Sequence, residues 1–207
     1  MKILIVSPHT DDAELGCGGS INKFIEIGNE IYWIVFSSAE DSLPSGLEKD
    51  TLKKEFIEIV NSLNINNYKI LNYKVRTLSQ KRQNILDELV KLKKEIKPDV
   101  VICPSLNDFH QDHQIVSNEC VRAFKMDSSI ICYELPWNHI TFNTQLFIKL
   151  NKKYIDKKWL MLKKYKSQFI VNKSYFNKEY VYGLARIRGV QSNSTYAEAF
   201  EVIRWIL

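Results

Sequence analysis

Long apolar runs, paired cysteines and an N-terminal leader are missing from this sequence, and each absence excludes a class of protein. No apolar stretch approaches the roughly 20 residues that a membrane-spanning helix needs. Met1 and Lys2 lead directly into a short apolar run, not into the pattern of a signal peptide. Four cysteines occur, without a CxxC pair or the spacing of a disulfide framework: Cys17, Cys103, Cys120 and Cys132. We therefore expect a cytoplasmic protein with reduced thiols in its core.

The composition is that of one globular domain. The chain has 207 residues, of which 45% are hydrophobic and 26% are charged, and a single hydrophobic core is ordinary at this length. No linker, internal repeat or low-complexity segment divides it, so we expect a single domain over residues 1–207. The net charge of +5 comes from widely spread basic residues. No aromatic-interleaved basic motif predicts nucleic-acid binding, and no particular oligomeric state is predicted.

Apolar strands alternate with amphipathic helices over the first 135 residues. Strands are predicted at short apolar runs, over residues 2–7, 30–37, 68–71, 99–104 and 129–134. Helices are predicted where apolar residues recur at helical intervals, over residues 13–28, 47–63, 79–97 and 113–125. This alternation is typical of βαβ units. It predicts an α/β fold of Rossmann-like type, in which helices flank both faces of a mainly parallel sheet.

The pattern changes after Pro136. A strand is predicted over residues 145–150, and helices are predicted over 156–169 and 177–188. Residues 196–205 fit either a strand or a helix, and the β propensities of Phe200, Val202 and Ile203 favour a strand. We expect this last third of the chain to pack on the same sheet.

Three of the four histidines fall in two loops that follow predicted strands. The first loop contains Pro8-His9-Thr10-Asp11-Asp12, directly after the first strand. The second runs from Asn107 to His113, after the strand that ends at Pro104. Ligands of open α/β sheets bind at the carboxyl ends of the strands. The two loops are therefore predicted to form one site.

The residue types of these loops predict a metal centre. Histidine nitrogen and aspartate oxygen bind zinc at roughly 2.0–2.2 Å, and a catalytic zinc takes three protein ligands and leaves one position open. His9, Asp12 and His113 supply such a set. Asp11 is then available to accept a proton from the attacking water.

His110 lies three residues before His113, so both can reach one cavity. A histidine that does not bind the metal can donate a hydrogen bond to the oxyanion formed at an attacked carbonyl. We predict this role for His110, with Asp112 orienting or charging it.

Each feature alone also fits a structural role. Asp11 or Asp12 could cap the helix that begins near Ala13, and the second loop could be a capped helix start. The occurrence of both loops at strand ends favours the metal site. Gly16-Cys17-Gly18-Gly19 lies inside a predicted helix and not at a strand–helix turn. We interpret these glycines as permitting close packing, and not as a nucleotide loop.

At these residues the sequence resembles the PIG-L/LmbE-like family of zinc-dependent N-acetyl-sugar deacetylases. That family carries Pro-His-Pro-Asp-Asp, then Gly-x-Gly-Gly, and later His-x-Asp-His. The corresponding segments here are Pro8–Asp12, Gly16–Gly19 and His110–His113, with Thr10 and Gln111 in place of common prolines. Further similar segments extend the resemblance over nearly the whole chain: Lys53-Lys54-Glu55, Lys97–Val101, Tyr165–Gln168 and Tyr196–Phe200.

The resemblance implies the metal ligands His9, Asp12 and His113, the general base Asp11 and oxyanion assistance from His110. It implies Zn²⁺ as the cofactor, with another divalent metal such as Fe²⁺ as the alternative. The expected reaction is hydrolysis of the acetamide of an N-acetylglucosamine-type conjugate, so the expected partner is a small-molecule amino sugar.

Two other functions remain open from the residues. One is a non-haem Fe(II) enzyme that uses the same ligands, because two histidines and one carboxylate also form that site. The other is a non-catalytic sugar-binding module of the same fold. The loops 38–46 and 137–143 are expected to select the group that is attached to the amino sugar.

Overall fold

Seven strands and seven α-helices make up the computed structural model, which describes residues 1–206. The strands are β1 (Lys2–His9), β2 (Glu30–Ser37), β3 (Tyr68–Ile70), β4 (Val100–Pro104), β5 (Ser129–Tyr133), β6 (Leu146–Leu150) and β7 (Tyr196–Arg204). The helices are α1 (Asp12–Glu26), α2 (Thr51–Ser62), α3 (Arg82–Ile96), α4 (Gln111–Phe124), α5 (Lys152–Leu162), α6 (Lys166–Val171) and α7 (Lys178–Gln191). None of the helices within the described residues combines the length and the apolar character that crossing a bilayer requires.

One sheet contains all seven strands, in the order β3-β2-β1-β4-β5-β7-β6. The first five of these run parallel to one another. β7 runs antiparallel to β5, and β6 runs antiparallel to β7. The predicted mainly parallel α/β sheet is confirmed. The last third of the chain adds the two antiparallel strands to the same sheet, and residues 196–204 are a strand.

Alternate side chains of β1 face opposite sides of the sheet. Ile3 and Ile5 belong to a buried cluster that includes residues of α1, α2, α5 and α7. Leu4 and Val6 belong to a second cluster, formed with α3 and α4. A parallel strand that is covered on both faces is apolar at consecutive positions, which explains the unbroken apolar run from Ile3 to Val6. The predicted flanking of the sheet on both faces is confirmed.

The helix boundaries differ from the sequence prediction at several positions, and three of the differences concern α2, α4 and the helix predicted over 156–169. α2 begins at Thr51 and not at residue 47, because turns occupy residues 45–50. α4 begins at Gln111, two residues earlier than predicted. The helix predicted over 156–169 is two helices, α5 and α6. The turn between them carries Tyr165, which is fully buried and donates its hydroxyl hydrogen bond to the carbonyl of Thr10. This contact joins the turn between α5 and α6 to the start of α1.

A kink at Cys17 interrupts α1, where the backbone adopts φ −144°. Helix N-termini leave backbone N–H groups without an intrahelical partner. Here the buried carboxylate of Glu198 on β7 accepts from the N–H groups of Gly19 at 3.0 Å and Ser20 at 2.6 Å. Lys158 Nζ lies 2.7 Å from the same carboxylate and balances its charge. The second half of α1 is thereby attached to the sheet.

The glycines of α1 lie where the helix approaches the sheet closely. A Cβ atom on Gly16 would overlap the Tyr133 ring of β5, and one on Gly19 would lie 2.7 Å from Leu150. The interpretation of these glycines as packing residues is therefore confirmed by the contacts. Their packing places the first turn of α1, with Asp12, at the end of β1.

Candidate metal centre

The two histidine-bearing loops meet at the carboxyl ends of β1 and β4, which are neighbouring parallel strands. His9 is the last residue of β1, and Asp12 is the first residue of α1. His113 lies in the first turn of α4, after the loop that follows β4. Loops that follow neighbouring parallel strands lie at the same edge of the sheet. The fold therefore brings the three predicted metal ligands together.

Three side-chain atoms of these residues form a compact triangle. His9 Nδ1 and His113 Nε2 each lie 3.2 Å from Asp12 Oδ2, and the two nitrogens lie 3.3 Å apart. Ligands placed tetrahedrally at roughly 2.0–2.1 Å from zinc are separated by about 3.3–3.4 Å. The three atoms have this separation, and all three residues are buried. The donor set therefore fits a zinc-type ion with one coordination position left over.

The remaining nitrogen of each of these histidines is held by a carboxylate. His9 Nε2 lies 3.0 Å from Asp112 Oδ2, and His113 Nδ1 lies 2.6 Å from Asp108 Oδ2. Such carboxylate–histidine pairs orient metal-binding histidines and select the tautomer that leaves the other nitrogen free. Asp108 had no role in the sequence prediction. Its position in the same loop, five residues before His113, is the signal that could have identified it.

Asp112 has a different partner from the one predicted. Its carboxylate accepts from the ring of His9 and from the backbone N–H groups of Arg76 at 2.6 Å and Leu78 at 3.3 Å. The sequence prediction gave Asp112 the role of orienting or charging His110, whereas in the structure its carboxylate contacts the ring of His9. Only the backbone N–H of Asp112 contacts His110, donating to its Nδ1 at 3.2 Å.

His110 is neutral in this environment. Burial, followed by the positive charges of His113 and His9, lowers the pKa of His110 to about 4. Because Nδ1 accepts the hydrogen bond from Asp112, the ring proton is assigned to Nε2. A neutral His110 therefore keeps one N–H donor, and it does not need the protonated form that the sequence prediction assumed.

His110 also belongs to a second possible ligand set. One nitrogen from each of His9, His110 and His113 lies within 4.8 Å of the others. The set that contains Asp12 is tighter, since its atoms lie within 3.3 Å of one another. Either set can hold one divalent metal, and metal content in a His110 variant distinguishes them.

Asp11 and Asp12 have opposite electrostatic surroundings. Burial raises the pKa of Asp11, and Lys173, whose Nζ lies 4.0 Å from Asp11 Oδ2, offsets this only in part. Burial also opposes ionisation of Asp12, but the positive charges of His113 and His9 outweigh it and hold the Asp12 pKa well below its usual range. Two adjacent carboxyls whose pKa values are pushed apart are suited to different tasks.

A cavity of about 360 Å³ opens onto the triangle. The residues that line it include His9, Asp11, Asp12, Ala39, Ser42, Leu52, Arg76, His110, His113, Trp137, Asn138, Gln168, Val171, Lys173 and Tyr175. Trp137 and Tyr175 stack with their ring centroids 3.7 Å apart and their planes 4° from parallel. The volume lies within the range of small-molecule sites.

The two loops that were expected to select the ligand supply only some of the residues that line the cavity. Loop 38–46 contributes Ala39 and Ser42, and loop 137–143 contributes Trp137 and Asn138. Lys53 and Lys54, which belong to a segment that resembles the family, do not line the cavity, and Lys54 pairs with Glu48 at 2.5 Å. The sequence does not predict three of the lining residues, because nothing in their local sequence places them at the two histidine loops. These residues are Arg76, Lys173 and Tyr175.

A larger groove of about 780 Å³ lies elsewhere on the surface, between α1, α2 and α5. Its lining includes Asn22, Glu26, Glu58, Lys157, Met161 and Lys164, and it contains no histidine. None of the metal-site residues contributes to it. The smaller cavity is therefore the candidate site.

Comparison with known proteins connects these residues to a family. The family described as "PIG-L: GlcNAc-PI de-N-acetylase" matches residues 4–124, which include both histidine loops. The protein named "Uncharacterized deacetylase YaiS", from Escherichia coli strain K12, is 25% identical over 169 residues, which are 80% of this chain and 90% of that protein.

Solved structures share the fold over almost the full length. The N,N'-diacetylchitobiose deacetylase from Pyrococcus horikoshii matches with a TM-score of 0.82 at 20% identity, over 98% of this chain and 83% of that one. The 4-carboxy-2-hydroxymuconate hydratase from Pseudomonas putida matches with a TM-score of 0.79 at 18% identity, over 100% and 97%. At these identities the likeness shows the fold alone. The two names also differ in reaction, so the fold does not define the chemistry.

Proposed function

This chain belongs to the PIG-L family, and from that premise we propose that it is a metal-dependent hydrolase that removes the N-acetyl group from an N-acetylglucosamine-type sugar conjugate. The products are a free amine and acetate. The observation that carries this proposal is the His9–Asp12–His113 triangle with a separate carboxylate, Asp11, at the same cavity.

We propose His9, Asp12 and His113 as the residues that hold the metal, with Zn²⁺ as the ion and another divalent metal such as Fe²⁺ as the alternative. An ion bound there would polarise an amide carbonyl and make water a stronger nucleophile near neutral pH. Asp108 and Asp112 support this role by holding the outer nitrogens of the two histidines.

Asp11 is the proposed general base. It lines the cavity beside Asp12. Its pKa is raised towards the pH at which the enzyme works, and this favours proton transfer. Asp11 would accept the proton of the attacking water and return it to the nitrogen as the C–N bond breaks. Lys173, close to Asp11, favours the ionised carboxylate that a base requires.

His110 is the proposed donor to the oxyanion that develops on the acetamide oxygen. Its Nδ1 is held by the backbone of Asp112, which leaves the Nε2–H group for the substrate. A donor that is already oriented loses little energy in reorganising during the reaction. The ring lines the same cavity as Asp11, so both groups can act on one acetamide.

We extend the proposed catalytic domain over residues 1–207, although the family match ends at residue 124. β6 and β7 belong to the same sheet as β1. Gln168, Lys173 and Tyr175, which follow the matched segment, line the same cavity as His9. The stacked pair Trp137 and Tyr175 offers an apolar face of the kind on which a sugar ring packs.

The direct test is to load purified protein with Zn²⁺ and to incubate it with methyl N-acetylglucosaminide and with N,N'-diacetylchitobiose. Acetate and new primary amine are measured in the same samples, and we expect them in equal amounts. Asp12→Ala, treated identically, is the control for contaminating activity. A hydratase or a sugar-binding module would release neither product. An Fe(II) oxygenase would require O₂, so equal product release under argon would exclude it.

A further inference from the structure

Arg76 brings an unpaired positive charge to the cavity. Within residues 1–206, its guanidinium has no carboxylate within salt-bridge distance and donates no side-chain hydrogen bond, although Arg76 lines the cavity that contains the metal triangle. Three other arginines form salt bridges with glutamates: Arg82 and Arg122 with Glu119, and Arg188 with Glu134. An arginine presents planar N–H groups that bind a phosphate or a carboxylate through two parallel hydrogen bonds.

The backbone of Arg76 is held in a conformation that disfavours a side chain. Its φ is +67°, the left-handed region in which glycine is favoured and a long side chain is uncommon. The N–H of Arg76 donates to Asp112 Oδ2 at 2.6 Å, and the same oxygen lies 3.0 Å from Nε2 of His9. The strained residue is thus attached to the metal site through one carboxylate. Strained residues of this kind cluster at functional sites.

A second cation lines the same cavity. Lys173 is two-thirds buried, and its only acidic neighbour within 4.0 Å among the described residues is Asp11 at that limit. Arg76 is exposed, as is Lys74 two residues before it, but only Arg76 lines the cavity. The side chain of Lys74 is 70% exposed and pairs with Asp41 at 3.6 Å. Arg76 and Lys173 are therefore the two basic side chains that line the cavity, apart from its histidines.

We propose that Arg76, assisted by Lys173, selects a substrate in which the N-acetylglucosamine unit is attached to an anionic group, a phosphate or a carboxylate. This inference rests on the proposed deacetylase function and specifies its substrate class. Arg76 acts on specificity and not on the bond that breaks, so its loss reduces the preference for anionic over neutral substrates.

The test compares three acetamide substrates: methyl N-acetylglucosaminide, carboxymethyl N-acetylglucosaminide and N-acetylglucosamine 1-phosphate. For the wild-type protein we expect kcat/KM to be roughly 10-fold to 100-fold higher for at least one anionic substrate, the size expected of a hydrogen bond between charged groups. The two anionic compounds show whether a carboxylate or a phosphate is preferred. In Arg76→Gln this ratio should fall towards one, whereas Lys74→Gln, the matched loss of one exposed charge, should keep it.

A second variant separates specificity from folding. Arg76→Gly removes the side chain at a position where glycine is conformationally favoured, so its thermal midpoint should equal or exceed that of the wild-type protein. Its anionic-to-neutral ratio should nevertheless fall as in Arg76→Gln. A ratio that is unchanged in both variants, or a wild-type protein that prefers the neutral glycoside, would overturn the proposal while leaving the deacetylase function intact.

Binding without turnover distinguishes this inference from the proposed function. Calorimetry with glucosamine 1-phosphate and with methyl glucosaminide measures affinity even if neither acetamide is hydrolysed. Affinity for the phosphate that falls about 10-fold or more in Arg76→Gln supports the anion site whether or not deacetylation is detected. Equal affinities of both variants and the wild-type protein for both ligands would contradict it.

Discussion

Asp108 Oδ2 lies 2.6 Å from Nδ1 of His113, and this contact turns the other ring nitrogen, Nε2, towards His9 and Asp12. His113 is 2% exposed, so Asp108 and not bulk solvent is the partner of Nδ1. The same aspartate accepts the backbone N–H of His110 at 2.8 Å. One buried carboxylate therefore contacts both His110 and His113.

Removing this carboxylate should weaken metal binding without removing a ligand. In Asp108→Ala we expect the metal affinity to fall by roughly 10-fold to 100-fold, the usual effect of losing a partner that orients a ligand. Competition with a chromogenic chelator measures the change. Asp127→Ala is the control, since Asp127 is exposed and pairs with Lys93 far from the site. An unchanged affinity in Asp108→Ala would show that Asp108 does not support the metal.

Metal binding should release protons. Burial disfavours the charged form of His113, but Asp12 and Asp108 outweigh it and raise the His113 pKa to about 10 in the metal-free site. At pH 7 the metal-free ring is therefore protonated, and a metal can bind Nε2 only after that proton leaves. We expect at least one proton released per metal, with affinity decreasing as the pH falls below about 10.

Calorimetric titrations with metal in two buffers of different ionisation enthalpy count the released protons. His113→Ala should release fewer protons as well as binding the metal more weakly. Proton release that is absent in the wild-type protein, or identical in the two proteins, would contradict the assignment of His113 as a ligand.

His110→Ala separates the oxyanion role from the alternative role as a ligand. In His110→Ala we expect about the wild-type metal content and a turnover that is lower by roughly 10²–10³, the usual effect of losing one oxyanion donor. The thermal midpoint should fall only modestly, because His110 also caps α4 through its side chain. His139→Ala is the matched control, since His139 lies outside the cluster of three histidines.

Two results would contradict this assignment. Loss of the metal in His110→Ala would favour the three-histidine ligand set over the set that contains Asp12. A lower thermal midpoint of His110→Ala together with normal turnover would show that His110 only caps the helix.

The fold and the convergence of the two loops could be predicted from the sequence. The parallel strands are apolar at consecutive positions, and the helices have apolar residues at helical intervals. The order of these elements along the chain can therefore be predicted from the sequence. The segments that carry His9 and His113 each follow a predicted parallel strand, which predicts that they meet at one edge of the sheet. The division of residues 156–169 into two helices was not readable, since it depends on where Tyr165 is buried.

The supporting contacts could not be predicted, because they depend on ring orientation and on segments distant in the chain. Asp112 is adjacent to His113 and near His110 in sequence, yet its carboxylate contacts His9, 103 residues away. Arg76 and Lys173 reach the cavity from segments that carry no recognisable site pattern. Only the folded backbone shows that these residues share one cavity with the histidines.

The central claim is that Asp12 holds the metal and the neighbouring Asp11 moves the proton. It is tested most directly by measuring metal content and acetate release on the same samples of wild-type protein, Asp11→Asn and Asp12→Ala. We expect about one metal per chain in the wild-type protein and in Asp11→Asn, with acetate release in that variant lower by roughly 10²–10⁴, the usual contribution of a general base. Asp12→Ala should lose the metal together with the activity. Near wild-type acetate release by metal-loaded Asp11→Asn, or full metal content in Asp12→Ala, would contradict the account.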